Sequence, residues 1–423
     1  MAGPRTGRRN LLGGFIRLRA FRAWRPQPGY VARVASPPYD VVSRDEAAEL
    51  AAGNPLSFLH VGRSDIDLPP DTDPHDPSVY AKARANLDLL LKEGIFTQEA
   101  EPALYLYELT MDGRSQIGVV GCVSVDDYAR DVIKKHEKTR KDKEDDRTTH
   151  LLTLNAHAEP VFLTHQPTPF LTQLNAKVLA GEPLYDFVSP DGVRQRVWKV
   201  RDTMPYVDAF RRIGTGYVAD GHHRSASAWR AAERLRAGNP KPTGNEEYEW
   251  FLAVLFPANQ LRILPYNRVV KDLGGLSPAQ FFEKLGAAGT LAPTDAPEPS
   301  SPGSFGVFVA GRWYRLTLDP ASINQRDPIG SLDVSLLQER VLAPILGIGD
   351  VRTDPRIDFV GGIRGTAELE RRVGSGQAAV AFAMYPVSVQ QLMTISDAGQ
   401  IMPPKSTWFE PKLKSGLFVH TLA

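Results

Sequence analysis

A chain of 423 residues, 42% hydrophobic and 23% charged, has the length of two or three domains at about 100–200 residues each. Its apolar share excludes general disorder. One cysteine, Cys122, excludes a disulfide framework and a cysteine-built zinc or iron–sulfur centre. A formal net charge of +1 argues against a surface that coats nucleic acid, which is not an expected partner, and no apolar run reaches the roughly 18 residues a membrane span needs.

The near-neutral total hides an asymmetry, because residues 1–39 carry eight arginines and no acid. Residues 1–14 read as a basic leader. Arg8-Arg9-Asn10-Leu11-Leu12 has the start of a twin-arginine export signal, but Arg17 and Arg19 cut the following apolar stretch too short. The cytoplasm is therefore the expected compartment. Phe15 to Pro28 reads as a short strand running into a loop. Ser36-Pro37-Pro38-Tyr39-Asp40 is a rigid turn, since each proline fixes its own φ and restrains the residue before it. Ser43 with Glu46 three residues on forms a capping-box pattern for a helix to about Ala52, stopped by Gly53. Tyr80, Ala83, Leu87, Leu90 and Leu91 give helical spacing over 79–93, ended by Gly94.

Strands are predicted over 103–110 and 116–125, with Asp112-Gly113 as the hairpin turn between them. The charged run 133–147 reads as a helix, which would put His136, Arg140, Lys143 and Arg147 on one face. An apolar run follows at 161–165. The apolar stretch 216–219 reads as a buried strand and 222–237 as an alanine-rich helix closed by Gly238. Strands follow at 250–256 and 261–270. The proline- and serine-rich 291–304 reads as a linker, dividing a core of 15–290 from a C-terminal region of 305–423. Beyond it come a hairpin around Gly311, a helix over 332–346, a strand at 378–384 and a basic loop, 402–414. Strands and helices alternate without a regular βαβ beat, so the expected class is α+β.

The sharpest chemistry lies in Asp220-Gly221-His222-His223-Arg224, between the strand and the helix. Gly221 allows a tight turn and a close approach of backbone to ligand. The first N–H groups of a helix and its dipole favour an anion there. His222 and His223 can donate hydrogen bonds, Arg224 can fork onto two phosphate oxygens, and Asp220 can orient a histidine, hold a cation or simply cap the helix. The run 133–147 offers accessory charge for a polyphosphate in His136, Arg140, Lys143 and Arg147, and read more plainly is a solvated helix. Asp40, straight after the rigid turn, can act as a general base, with Glu137 as a second catalytic candidate. Lys405 and Lys412, beside Trp408 and Phe409, can meet an anion next to a stacked ring. No residue spacing specifies a metal site.

The order PPYDVV, NPLSFLHV, KKHEKTRKDKEDDR, ADGHHR and PPKSTWFEPKLKSGLFVH resembles the bacterial family catalogued as domain of unknown function 1015, often described as SpoOJ/ParB-like. The resemblance runs from about Phe15 to His420. It implies a ParB/sulfiredoxin-like nucleotide-binding core with insertions, in which Gly221, His222, His223 and Arg224 hold the phosphates of ATP or ADP, with Mg2+ as the usual companion. Sulfiredoxin places a cysteine in this loop, where this chain has His222, so sulfinic-acid repair is not implied. Free-serine kinases also use a DGHHR-type loop. That likeness implies a kinase acting on a small hydroxyl acceptor such as L-serine, with Asp40 standing where those enzymes carry a glutamate. The alternative it leaves is a ParB-like, nucleotide-gated binding or regulatory protein without kinase activity.

Overall fold

The computed structural model describes residues 14–422, so all of the basic leader except Gly14 lies outside them. The described residues form a mixed α+β protein with thirteen α-helices and several sheets. The chain divides into two compact units. The first is built from the chain up to Lys135, Thr139–Gln260 and the stretch from Pro411 onward, and the second from His136–Lys138 and Leu261–Glu410. The division differs from the expected 15–290 and 305–423. Residues 291–304 lie inside the second unit, and their start belongs to the edge strand Thr290–Pro293. Proline at the end of an edge strand breaks no ladder, so proline content alone did not mark a boundary there.

The first unit is organised on a nine-stranded sheet. Its strand order is Ile133–Lys134, Gly216–Asp220, Val161–His165, Trp250–Pro257, Arg114–Ser124, Leu104–Met111, Arg194–Val200 and Tyr185–Val188, with Leu18–Arg19 paired to Arg114–Ser124. Two pairings are parallel, Gly216–Asp220 with Ile133–Lys134 and Trp250–Pro257 with Val161–His165, and the rest are antiparallel. The hairpin turns at Asp112 and Gly113, both at positive φ, as the Asp-Gly pair requires. Ala226, Ala228, Ala231 and Ala232 of the helix His222–Gly238 pack with Phe210, Val218, Phe251 and Leu255 in the main core. Small side chains let this helix lie close to the sheet. A second core holds Val34, Phe58, Ala83, Leu87 and Phe96, and Val419 from the C-terminal stretch joins it.

Ser43 and Glu46 form the predicted capping box, at the start of the helix Arg44–Ala51. Ser43→Ala is expected to cost about 1 kcal/mol of stability, measured by urea unfolding with unchanged slope. The predicted helix over 79–93 runs Pro77–Lys92, with Asp76 as its N-cap. The helix expected over 133–147 is not continuous. Ile133–Lys134 is extended, because it pairs with Gly216 and Tyr217, and the helix starts only at Lys141 and runs to Leu154. Strand pairing overrides local helical preference here. His136, Arg140, Lys143 and Arg147 therefore do not share a helical face. The expected strand over 261–270 is broken at Pro265 into Arg262–Leu264 and Tyr266–Val270.

The second unit has a six-stranded antiparallel sheet in the order Thr290–Pro293, Arg312–Thr317, Ser304–Val309, Val380–Ala383, Tyr266–Val270 and Ile357–Gly361. Val269, Phe308, Val360, Leu369 and Ala381 form its core. The helix predicted over 332–346 is short, Asp333–Leu337, and continues as a π-turn over Gln338–Leu342 before Pro344.

Candidate functional site

The strand Gly216–Asp220 ends on Gly221, which takes a left-handed conformation (φ 94°) as N-cap of the helix His222–Gly238. Any other residue is strained there, and an added Cβ would sit 3.1 Å from Arg224 Nε. No side chain caps this helix. Asp220 does not play that part: its Oδ1 accepts from the Gly221 N–H at 2.8 Å and its Oδ2 takes the Lys412 ammonium at 2.8 Å. Burial alone would raise the Asp220 carboxyl, but Lys412, Arg224 and His222 hold it well below the usual range.

Arg224 is the centre of the arrangement. Its side chain is only 10% exposed. Nη1 donates to the Pro160 carbonyl at 2.5 Å, while Nη2 lies 3.7 Å from Asp40 Oδ2 and 4.0 Å from Asp220 Oδ1. Its Nε is buried and has no hydrogen-bond partner among the described residues. Burial opposes its charge, yet Asp40, Asp220 and Glu159 outweigh that and keep the guanidinium firmly protonated. The rigid turn 36–40 becomes the 3-10 turn Tyr39–Val41, which presents Asp40 to Arg224 and the Tyr39 ring to Arg147. The Arg147 guanidinium lies 4.1 Å from the centre of that ring and donates to Asp146 at 2.8 Å.

Glu159 was not legible in the sequence. It precedes the strand Val161–His165, accepts from Ser415 Oγ at 3.1 Å, and burial raises its carboxyl above the usual range despite Arg224 and Arg147. A lone glutamate ahead of an apolar run carries no signal of its own, and the serine that meets it is 256 residues away. Lys412 and Ser415 both come from the stretch that returns to the first unit after the second.

The other expected residues are divided between the two units. The backbone N–H of Arg140 donates to His223 Nε2 at 3.2 Å, while its side chain turns to Asp142 and is 70% exposed. Lys143 is exposed on the helix Lys141–Leu154. His136 and Glu137 lie in the second unit, as does Lys405. There, His136 Nε2 sits 3.3 Å from Thr407 Oγ1.

His222, buried at 6% exposure, has its imidazole pushed down to about 4, chiefly by desolvation, with Asp220 only partly opposing this. Burial does the same to His150 and His165, each down to about 4. These three rings stay neutral in the folded chain but take up protons on unfolding near the ordinary value of 6.5. The stability that these rings contribute is therefore full above pH 6.5 and is lost as the pH falls from there towards 4. The loss is on the order of 3 kcal/mol for each ring. Unfolding midpoints from pH 8 to 4.5 test it, and His165→Gln, remote from the site loop in sequence, should flatten the slope. Cys122 is buried in the strand Arg114–Ser124, and burial holds its thiol well up, away from thiolate chemistry.

What the geometry provides is an uncapped helix start over a left-handed glycine, a nearly buried arginine with a spare donor, and carboxylates on two sides. Among the described residues, no helix is long and apolar enough to cross a membrane. No curated protein matches the chain. Among solved structures it is similar to a free serine kinase in complex with AMP (12% identity, TM-score 0.35, covering 71% of this chain and 91% of that one). It is also similar to SbnI with a C-terminal truncation from Staphylococcus aureus (14%, 0.38, 71% and 86%) and to a conserved hypothetical protein from Pyrococcus furiosus (12%, 0.35, 71% and 94%). Likenesses of this size carry no functional weight. The family model is another matter, because it spans most of the chain: over residues 18–335 the sequence matches the family described as "Protein of unknown function (DUF1015)", and the chain belongs to that family.

Proposed function

We propose that the first unit binds the phosphates of ATP or ADP at the start of the helix His222–Gly238 and transfers a phosphoryl group to the hydroxyl of a small acceptor. The observation that carries this reading is the Arg224 guanidinium, nine-tenths buried beneath an uncapped helix start with its Nε unpartnered. A buried donor without a partner costs about 1–3 kcal/mol, and an oxyanion at the helix start would satisfy it. The main-chain donors at the helix start would orient the phosphates. Arg224 would meet charge that develops on the transferred group, the effect that dominates phosphoryl transfer. Asp40, its carboxylate partly exposed beside Arg224, would take the acceptor's proton.

Free L-serine is the first acceptor to try, on the strength of the DGHHR-type loop that the sequence shares with free-serine kinases. A ParB/sulfiredoxin-like core and a cytoplasmic location belong to the same reading. Mg2+ belongs to it as well, as the usual companion of nucleotide phosphates. With Asp40 taken as the base and both Asp220 oxygens engaged, phosphate oxygens and water would be the ligands of this cation. Glu137, the second catalytic candidate, is assigned no role in this reading.

The test is to titrate the full chain with ATP and with ADP by calorimetry, then incubate it with labelled nucleotide and a pool of amino acids. Saturable binding and a phosphorylated amino acid are the expected results. Binding without product identifies a nucleotide-gated regulatory protein instead, and no heat with either nucleotide overturns the site.

A further inference from the structure

The second unit holds a buried positive charge that the proposed reaction does not use. Arg268 lies in the strand Tyr266–Val270 and is 3% exposed. Its Nη1 donates to its own strand's Tyr266 carbonyl and its Nη2 to the Lys405 carbonyl at 3.0 Å. Among the described residues, no carboxylate hydrogen-bonds or ion-pairs with it. A buried guanidinium is normally matched by a carboxylate, because carbonyl dipoles alone repay little of its desolvation. Burial accordingly pushes the Arg268 guanidinium down to about 10, with only Tyr266 acting against it.

A second cation converges on the same place. Lys405 is exposed, and its ammonium lies 5.6 Å from the centre of the Tyr266 ring. It too has no carboxylate partner among the described residues. Its backbone is left-handed (φ 56°), which costs a lysine roughly 1–2 kcal/mol. That conformation accompanies the carbonyl that receives Arg268. Glu410, the acid nearest in sequence, accepts from Trp408 Nε1 at 2.8 Å.

Alternation along the strand puts Tyr266 and Arg268 on one face. The ring of Phe359, opposite Arg268 in the neighbouring strand, lies 5.2 Å from the guanidinium carbon. Trp408 meets Tyr266 edge-on at 5.2 Å and lies flush against Gly361, where an added Cβ would come within 2.7 Å of its ring. Two half-buried rings thus adjoin one buried cation and one exposed cation.

We propose that Arg268 and Lys405, with the rings of Tyr266 and Trp408, form a second anion site, which takes the phosphate group of a small ring-bearing phosphate ester. The phosphate supplies the negative charge both cations lack, with Lys405 as its direct donor at the surface. The rings offer the organic body a stacking surface. The proposal is independent of nucleotide binding by the first unit.

Hydrogen exchange of the full chain, with and without phenyl phosphate and with inorganic phosphate, reads the location directly. Phenyl phosphate is expected to protect the segment 400–410, and inorganic phosphate to protect it more weakly. Lys405→Glu, an exposed change that should leave the melting temperature unaltered, is expected to weaken that protection by at least about tenfold in ligand concentration. Equal protection by the two ligands keeps the anion site but assigns it to free phosphate. No protection of 400–410, or protection that survives Lys405→Glu, overturns the proposal. So does an Arg268→Met chain that is more stable and binds as before, because the charge would then serve no ligand.

Discussion

Replacing Arg224 by lysine should abolish measurable ADP binding while leaving the chain folded. The lysine keeps a positive charge among Asp40, Glu159 and Asp220, so the electrostatic balance of the cluster survives. It cannot form the planar fork, and it cannot place a donor where Nε now lies unpartnered. With two or more charge-assisted hydrogen bonds lost, affinity should fall by at least about a hundredfold. Arg224→Ala goes further. Three carboxylates then face one another with Lys412 and Arg147 as the remaining nearby cations, and stability should drop by on the order of 3 kcal/mol. Calorimetric titration gives the first number and thermal unfolding the second. Native affinity in Arg224→Lys would mean that the guanidinium is a structural clamp on Pro160 and not a phosphate ligand.

Asp40→Asn should do the opposite: nucleotide binding persists and turnover falls by about two to four orders of magnitude, the usual contribution of a general base. The substitution keeps the shape of the side chain and removes its capacity to accept a proton. The Asp40 carboxylate is 35% exposed and held at the end of a proline-fixed turn, so it can reach an acceptor without losing much freedom. Glu159→Gln is the matched control. Its carboxyl is raised by burial and hydrogen-bonded to Ser415, which suits a positioning role. If Asp40→Asn turns over at the native rate while Glu159→Gln does not, the base is Glu159 and the two assignments exchange.

The candidate site was legible in the sequence where its parts are local. Gly221 to Arg224 announced themselves because a glycine between an apolar strand and an alanine-rich helix has few other uses, and the rigid turn at Asp40 because two prolines fix it. Parts that depend on distant pairing were not legible. The charged run 133–147 has helical composition throughout, but pairing of Ile133 and Lys134 with a strand some eighty residues later decides its first half. Glu159 and Ser415 carry no motif and become partners only through the fold. The division of the chain was hidden for a similar reason. A proline-rich segment looks like a boundary, whereas the passage from one unit to the other at Gln260 and Leu261 falls at a short 3-10 turn between two strands, with no proline- and serine-rich run to mark it.

The return of the chain to the first unit has a consequence for synthesis. Lys412, Lys414 and Ser415 close salt bridges and hydrogen bonds with Asp220, Asp191 and Glu159, and Val419 joins the core around Phe58. All four are translated only after the whole of the second unit. Domains ordinarily fold as they leave the ribosome, N-terminal first, yet here the earlier one must wait, with Asp220 and Glu159 lacking their mates, until a later one has been made. A released chain that ends at residue 410 should therefore expose the first unit to proteases while the second is already resistant.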